Sequence, residues 1–276
     1  MKTLYVTDLD GTLLDKACRV PPEGLKIINE LIQEGMCFTY ATARSLSSAA
    51  IVTKGLNLNC PVIVYNGAFI LNSTTNEILH REVYTQKDIR YIEKLIKKYN
   101  LNPLVYSFVN GEERVTWVTG NEHRGLMYYI NSRQDDKRLH PITSDERLFD
   151  GDVFYVTIIE DELSLQPFYN EIQKYNGFKT ILQQELYREE YWCEVMSARA
   201  TKAQAINVLK AILSCDRVVC FGDAVNDIPM FKISDECYAV AHSVPQLKAM
   251  ATQVIDSNEK NGVAKKLLQL YSKEVP

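Results

Sequence analysis

No excess of basic residues runs through this chain: 31 Lys and Arg stand against 35 Asp and Glu, a formal net charge of −4. Without a basic stripe there is no electrostatic footprint for a nucleic-acid backbone, so none is expected as a partner. Also missing is any apolar run near the roughly 18 residues that a spanning helix needs, which argues against a membrane role. The opening MKTLYVTDLD puts acids where an export signal carries its apolar stretch, so no such signal is expected. The seven cysteines, at positions 18, 37, 60, 193, 215, 220 and 237, include no Cys-x-x-Cys spacing. Their odd number and apolar surroundings point to reduced, mostly buried thiols and hence to the cytoplasm. No internal repeat or low-complexity linker interrupts the chain. What is present is 276 residues with 46% hydrophobic content, enough for one large domain or two ordinary ones with a buried core.

Short apolar runs alternate with amphipathic stretches in both terminal portions, the pattern of a parallel sheet covered by helices on both faces. The expected strands are Leu4 to Thr7, Cys37 to Ala41, Val62 to Tyr65, Val218 to Phe221, Tyr238 to Ala241 and Val254 to Ile255. Pro22 to Glu34 and Thr201 to Leu213 read as core-facing helices. The middle reads differently. Leu104 to Val109 and Val115 to Thr119 flank Asn110-Gly111, a strong hairpin signal. A helix near His123 to Gln134, a strand Val153 to Ile159, a helix near Leu163 to Tyr175 and strands near Phe178 to Leu182 and Trp192 to Met196 complete an α+β insert. The expectation is an α/β core formed by residues 1–81 and 198–276, with an α+β insert at 82–197 facing it across a cleft.

Four segments carry residues of chemical interest. Leu4 to Thr12 is an apolar strand ending in Asp8, Asp10 and a Gly turn, and open sheets of this kind bind ligands beyond the carboxyl ends of their strands. By itself this segment reads equally well as an Asx-type turn. Val218 to Asp227 repeats the design and presents Asp223, Asn226 and Asp227, which are also able to cap the helix that follows. If the two strands are neighbours, Asp8, Asp223 and Asp227 converge, and carboxylates at close range repel unless a cation neutralises them. An all-oxygen cluster selects a hard ion, for which Mg2+ fits best. Phe38 to Arg44 is a strand running into a turn, where the Thr42 hydroxyl and the backbone at Ala43 are placed to grip phosphate oxygens. Thr42 is equally explained as a β-branched residue at a strand end. Lys202 opens a helix, where the macrodipole disfavours a cation, although a solvated surface lysine remains the plainer account.

In order and type these segments resemble the haloacid dehalogenase superfamily of phosphotransferases, in its Cof-like sugar-phosphatase branch with a C2B cap. The likeness runs through Asp8-Leu9-Asp10-Gly11-Thr12, Thr42, Lys202 and Gly222-Asp223 through Asn226-Asp227, with Asn66-Gly67-Ala68 adding to it. The resemblance implies a Rossmann-like core and an inserted α/β cap that sets specificity. It implies Asp8 as nucleophile and Asp10 as general acid and base, with Asp8, Asp223 and the Asp10 carbonyl as Mg2+ ligands. Asp227 would stand behind them, orienting water or Lys202, while Thr42, the Ala43 backbone, Lys202 and Asn226 would hold the phosphoryl group. The implied substrate is a small phosphorylated metabolite, and the implied assembly a monomer or weak homodimer. Within the insert, Trp117, Tyr128 and Trp192 are candidates to stack on a sugar.

Some positions depart from the branch. Ala43 and Ala224 stand where Gly is frequent, and Ala241-His242-Ser243 stands where Gly-Asn-Ala is common. The added methyl groups are expected to narrow the phosphate-binding backbone. Two rival readings share the same residues: a phosphohexomutase of the same superfamily, and a noncatalytic phosphate-binding regulator. Asp10 argues against the second, because a binding protein has no leaving alcohol to protonate.

Overall fold

A computed structural model describes residues 1–185 and 188–272. The chain opens with β1 (Thr3–Thr7), every residue of which is buried, as a strand covered on both faces requires. After it come α1 (Pro22–Gln33), with proline in its first turn, β2 (Cys37–Tyr40) and α2 (Leu46–Val52), capped by the Ser45 side chain. Next are β3 (Val62–Val64), β4 (Phe69–Leu71) and β5 (Ile78–Arg81), which pair antiparallel in their own sheet in that order. The strand expected at Val62 to Tyr65 forms as β3, with β4 as an antiparallel partner that the sequence reading did not include. The segment joins the parallel sheet through the isolated bridge Ala41–Ile63. At Tyr65 and Asn66 the backbone turns left-handed (φ 51° and 54°), and the chain doubles back on itself.

The middle of the chain forms α3 (Gln86–Tyr99), β6 (Leu104–Val109), β7 (Glu112–Val118), α4 (Arg124–Asn131), β8 (Leu139–Ile142), β9 (Asp152–Glu160), α5 (Glu162–Ile172), β10 (Phe178–Gln184) and β11 (Tyr191–Ser197). Asn110 and Gly111 both take positive φ (53° and 85°), as the tight β6–β7 hairpin demands. The six strands run in the order β10-β11-β9-β6-β7-β8, antiparallel except for the β7–β8 pair. Strand β8 was not legible in the sequence because it contains Pro141, which the sheet tolerates at its edge. Helices α3 and α5 carry Ile89, Ile92, Ile96, Leu165, Phe168 and Ile172 onto Val105, Ile158 and Val195 of the sheet. Helix α4 approaches β9 closely: a Cβ on Gly125 would lie 2.6 Å from Ile159 Cγ2.

The chain then returns through α6 (Lys202–Ile212), β12 (Arg217–Gly222), α7 (Ile228–Ile233), β13 (Glu236–Val240), α8 (Pro245–Met250), β14 (Gln253–Ile255) and α9 (Gly262–Tyr271). The parallel sheet runs β14-β13-β12-β1-β2. Residues alternate between its faces. Leu4, Val6, Val218 and Cys220 meet Ala205, Ile206 and Leu209 of α6 and Met230 of α7. On the opposite face, Phe221 stacks on Tyr238, whose ring lies under the Lys266 ammonium of α9. The chain divides into two compact units, Met1–Arg81 with the residues from Ala200 onward, and Glu82–Arg199. The architecture is thus a Rossmann-like α/β core with an α+β insertion. Seven cysteines are free, and among the described residues no helix is long and apolar enough to cross a membrane.

Candidate active site

Strand register brings the acids together. β1 pairs with β12 so that Thr7 lies beside Phe221, and the Asp8 N–H donates to the Phe221 carbonyl at 2.9 Å. Asp8 and Asp223 therefore leave adjacent strands at the same end of the sheet. Oxygens of Asp8, Asp223 and Asp227 all lie within 4.8 Å of one another. Thr12 Oγ1 donates to Asp223 Oδ1 at 3.1 Å. Gly11, with φ +76°, allows the close approach: a Cβ there would sit 2.4 Å from Asp223 Oδ2.

Lys202 is a buried cation, 1% exposed, not a solvated surface lysine. Its Nζ donates to Asp8 Oδ1 at 2.5 Å and to Asp227 Oδ1 at 2.7 Å. The other oxygen of Asp227 accepts from the backbone N–H groups of Asp223 (2.9 Å) and Ala224 (3.1 Å). Both Asp227 oxygens are thus committed to holding the lysine and the turn after β12. The N-terminus of α6 is fixed by Thr201, whose Oγ1 caps Gln204, and by close backbone packing: a Cβ on Gly67 would meet the Thr201 carbonyl oxygen at 2.2 Å.

Burial drives the electrostatics. Desolvation pushes the Asp8 carboxyl up to about 7; Lys202 opposes this, while Asp227 and Asp223 add to it. Burial and Asp227 likewise raise Asp223. Burial acts against a charged Lys202, but the carboxylates of Asp8 and Asp227 hold its pKa above the ordinary value. The cluster has three acids and one ammonium, so it carries excess negative charge that a hard cation would relieve.

Thr42 is buried, and its Oγ1 accepts the Arg44 N–H at 3.1 Å. Its carbonyl accepts the Asn66 N–H at 2.8 Å, which ties this turn to the left-handed segment after β3. Asn226 Nδ2 lies 3.5 Å from Asn66 Oδ1. Ala43 is exposed, and neither Ala43 nor Ala224 takes positive φ, so their methyl groups cause no backbone strain. Exposed His242 lies near enough to Asp223 to act on its charge, and Ser243 Oγ donates to the carbonyls of Gly222 and Val240.

Asp10 is half exposed and lies outside the acidic triad. Its carboxylate is held bidentately by Arg44, with Nε to Oδ2 at 2.8 Å and Nη2 to Oδ1 at 2.6 Å. Arg44 carries no signal of this role in the sequence, because nothing in the spacing of residues 10 and 44 announces the pair. Within the insert, Trp117 is 5% exposed and bonded to Glu122, so it presents no face to a ligand. Tyr128 and Trp192 line a common pocket of about 390 Å³ with Tyr129, Arg133, Arg188 and Glu190.

A family model for haloacid dehalogenase-like hydrolases matches residues 5–267. The chain belongs to this family. Among its relatives is the 5-amino-6-(5-phospho-D-ribitylamino)uracil phosphatase YwtE of Bacillus subtilis, 23% identical over 292 aligned positions that span 99% of each chain. A crystal structure from Thermotoga maritima superposes with a TM-score of 0.79 at 21% identity, covering 98% of this chain and 97% of its own. A subclass IIB sugar phosphatase of the superfamily superposes at 0.68 and 17% identity, covering 98% of this chain and 99% of its own. These likenesses run the length of the chain, and the family model makes it a haloacid dehalogenase-like hydrolase.

Proposed function

We propose that this hydrolase is a phosphatase of small phosphorylated metabolites, above all sugar phosphates, acting through a phosphoryl group carried on Asp8, with Mg2+ as cofactor. The observation that carries the reading is the buried Lys202 bridging Asp8 and Asp227 while Asp223 closes on the same point. A structural salt bridge needs one acid per lysine, and a third carboxylate drawn into the cluster raises its free energy unless it serves a cation. The donor set fits that cation: it is all oxygen, partly buried, and approached by a glycine that leaves room. Asp8, Asp223 and the Asp10 carbonyl would hold the ion. Asp227 is withheld from it by its bonds to Lys202 and the backbone. When bound, Mg2+ would neutralise charge between the nucleophile and the phosphoryl oxygens.

In the first step an Asp8 oxygen attacks phosphorus as the bond to the leaving oxygen breaks, and Asp10 gives that oxygen its proton. In the second, water attacks the same phosphorus, Asp10 regains a proton from it, and the bond to Asp8 breaks to release phosphate. Lys202 and Thr42, with the Ala43 backbone and Asn226, orient the transferring group and offset its charge. The inserted unit supplies substrate selection, with Tyr128 and Trp192 as candidate contacts. The free, mostly buried cysteines support a cytoplasmic setting.

The test is turnover of a panel of sugar phosphates, nucleotides and phosphorylated cofactors with magnesium present. Phosphate release is expected, abolished by a chelator and by Asp8→Asn. Full activity in Asp8→Asn would refute the assigned nucleophile. Isomerised sugar phosphate without free phosphate would instead identify a mutase.

A further inference from the structure

We infer that Arg44 is the positioning residue for the general acid Asp10, an inference that rests on the role proposed above for Asp10. Arg44 is the anchored member of the pair. Its N–H is held by Thr42 Oγ1 at 3.1 Å, its carbonyl accepts the Tyr65 N–H at 3.0 Å, and its Nη1 donates to Ser48 Oγ at 3.0 Å. Asp10, in contrast, sits at the head of a turn with its side chain 51% exposed, against 22% for Arg44. Among the described residues Arg44 is its hydrogen-bond partner, through both oxygens. A lone carboxylate at that exposure would rotate freely, whereas proton transfer needs the acid aligned with the leaving oxygen.

The contact geometry leaves Asp10 able to work. A bidentate guanidinium engages one lone pair on each carboxylate oxygen, and each oxygen keeps a second. One of these can carry the proton that passes to the leaving oxygen as the phosphorus–oxygen bond breaks, and can regain a proton from water in the second step. Arg44 commits three of its five N–H donors within the protein, two to Asp10 and one to Ser48. The pair also links two segments about thirty residues apart in sequence, joining the turn after β1 to the turn after β2.

The experiment compares the magnesium-loaded enzyme with Arg44→Gln, Arg44→Lys and Asp10→Asn on aryl phosphates from p-nitrophenyl phosphate to phenyl phosphate. An acid matters most where the leaving group is poor. Arg44→Gln should lose about tenfold to a hundredfold in kcat on phenyl phosphate, with far less loss on p-nitrophenyl phosphate and little change in KM. Arg44→Lys should recover part of the loss on phenyl phosphate, which a folding defect would not. Equal losses on every substrate, or a raised KM with kcat unchanged, would overturn the inference. If Asp10→Asn itself affects all leaving groups alike, the role of Asp10 falls, and the inference with it; a selective Asp10→Asn beside an unselective Arg44→Gln removes the inference alone.

Discussion

At the scale of single residues, the site is defined by what burial does to charge. Asp8, Asp227 and Lys202 are almost wholly removed from solvent, so each carboxylate and the ammonium depend on one another. With its pKa pushed up to about 7, Asp8 binds a proton more tightly in the ion-free folded protein than in the unfolded chain. The resulting stabilisation is complete below about pH 4 and is lost as pH rises through about 7. A divalent ion favours the carboxylate and reverses this. Thermal melts in chelator should therefore show Asp8→Asn gaining on the parent protein as pH rises from 5 to 8, by on the order of a few kcal/mol. Added magnesium should raise the melting temperature of the parent above pH 7 and do little for the variant. A parent protein whose ion-free stability is flat across that range would contradict the assigned electrostatics. Asp8 was conspicuous as an acid at the end of an apolar strand, whereas Lys202 read most plainly as a solvated surface lysine and was singled out by the family resemblance. The Arg44–Asp10 pair was not, since an arginine after a strand looks like any solvated cation until the fold delivers its partner.

Elements place those residues, and short apolar strands bounded by turns were the most readable. Thr3–Thr7 and Arg217–Gly222 lie where the sequence put them, as do the helices at Pro22–Gln33 and Lys202–Ile212. Strand β3 meets the parallel sheet at the parallel bridge Ala41–Ile63 and takes its ladder partner from β4 instead. Val62 to Val64 has the same apolar content as a parallel strand, and its antiparallel pairing with Phe69–Leu71 depends on left-handed backbone at Tyr65 and Asn66. That turn also supports the site. Gly67, with φ +100°, lies against the Thr201 carbonyl, where a Cβ would approach to 2.2 Å. Gly67→Ala should cost about 2 to 4 kcal/mol of stability, measured by urea unfolding. Because the displaced backbone belongs to the N-cap of α6, Lys202 would move with it, and kcat should fall in the folded fraction as well. A variant with parental stability and turnover would mean the contact is relaxed in solution.

On the scale of the whole molecule, the chain is interrupted by a unit with its own centre. Residues Glu82–Arg199 bury Ile92, Leu95, Val105, Ile158, Phe168 and Val195 in a cluster that draws on neither terminal portion. Expressed alone, this segment should give a cooperative thermal transition and a dispersed amide spectrum. A molten or insoluble product would show that it needs the rest of the chain. The core, in contrast, is assembled from both ends of the polypeptide, since β1 pairs with β12 across more than two hundred residues. The amino-acid sequence alone determined most of the strands, though not β4, β5 or β8, together with the hairpin at Asn110-Gly111 and the identity of the acids, because periodicity, turn chemistry and residue type are local properties. Only the tertiary structure decided that Asp8, Asp223 and Asp227 share a point with Lys202, that Asp10 faces Arg44, and that Trp117 is buried. Convergence depends on strand order and register, which are set by the packing of the entire sheet and leave no mark on any single segment.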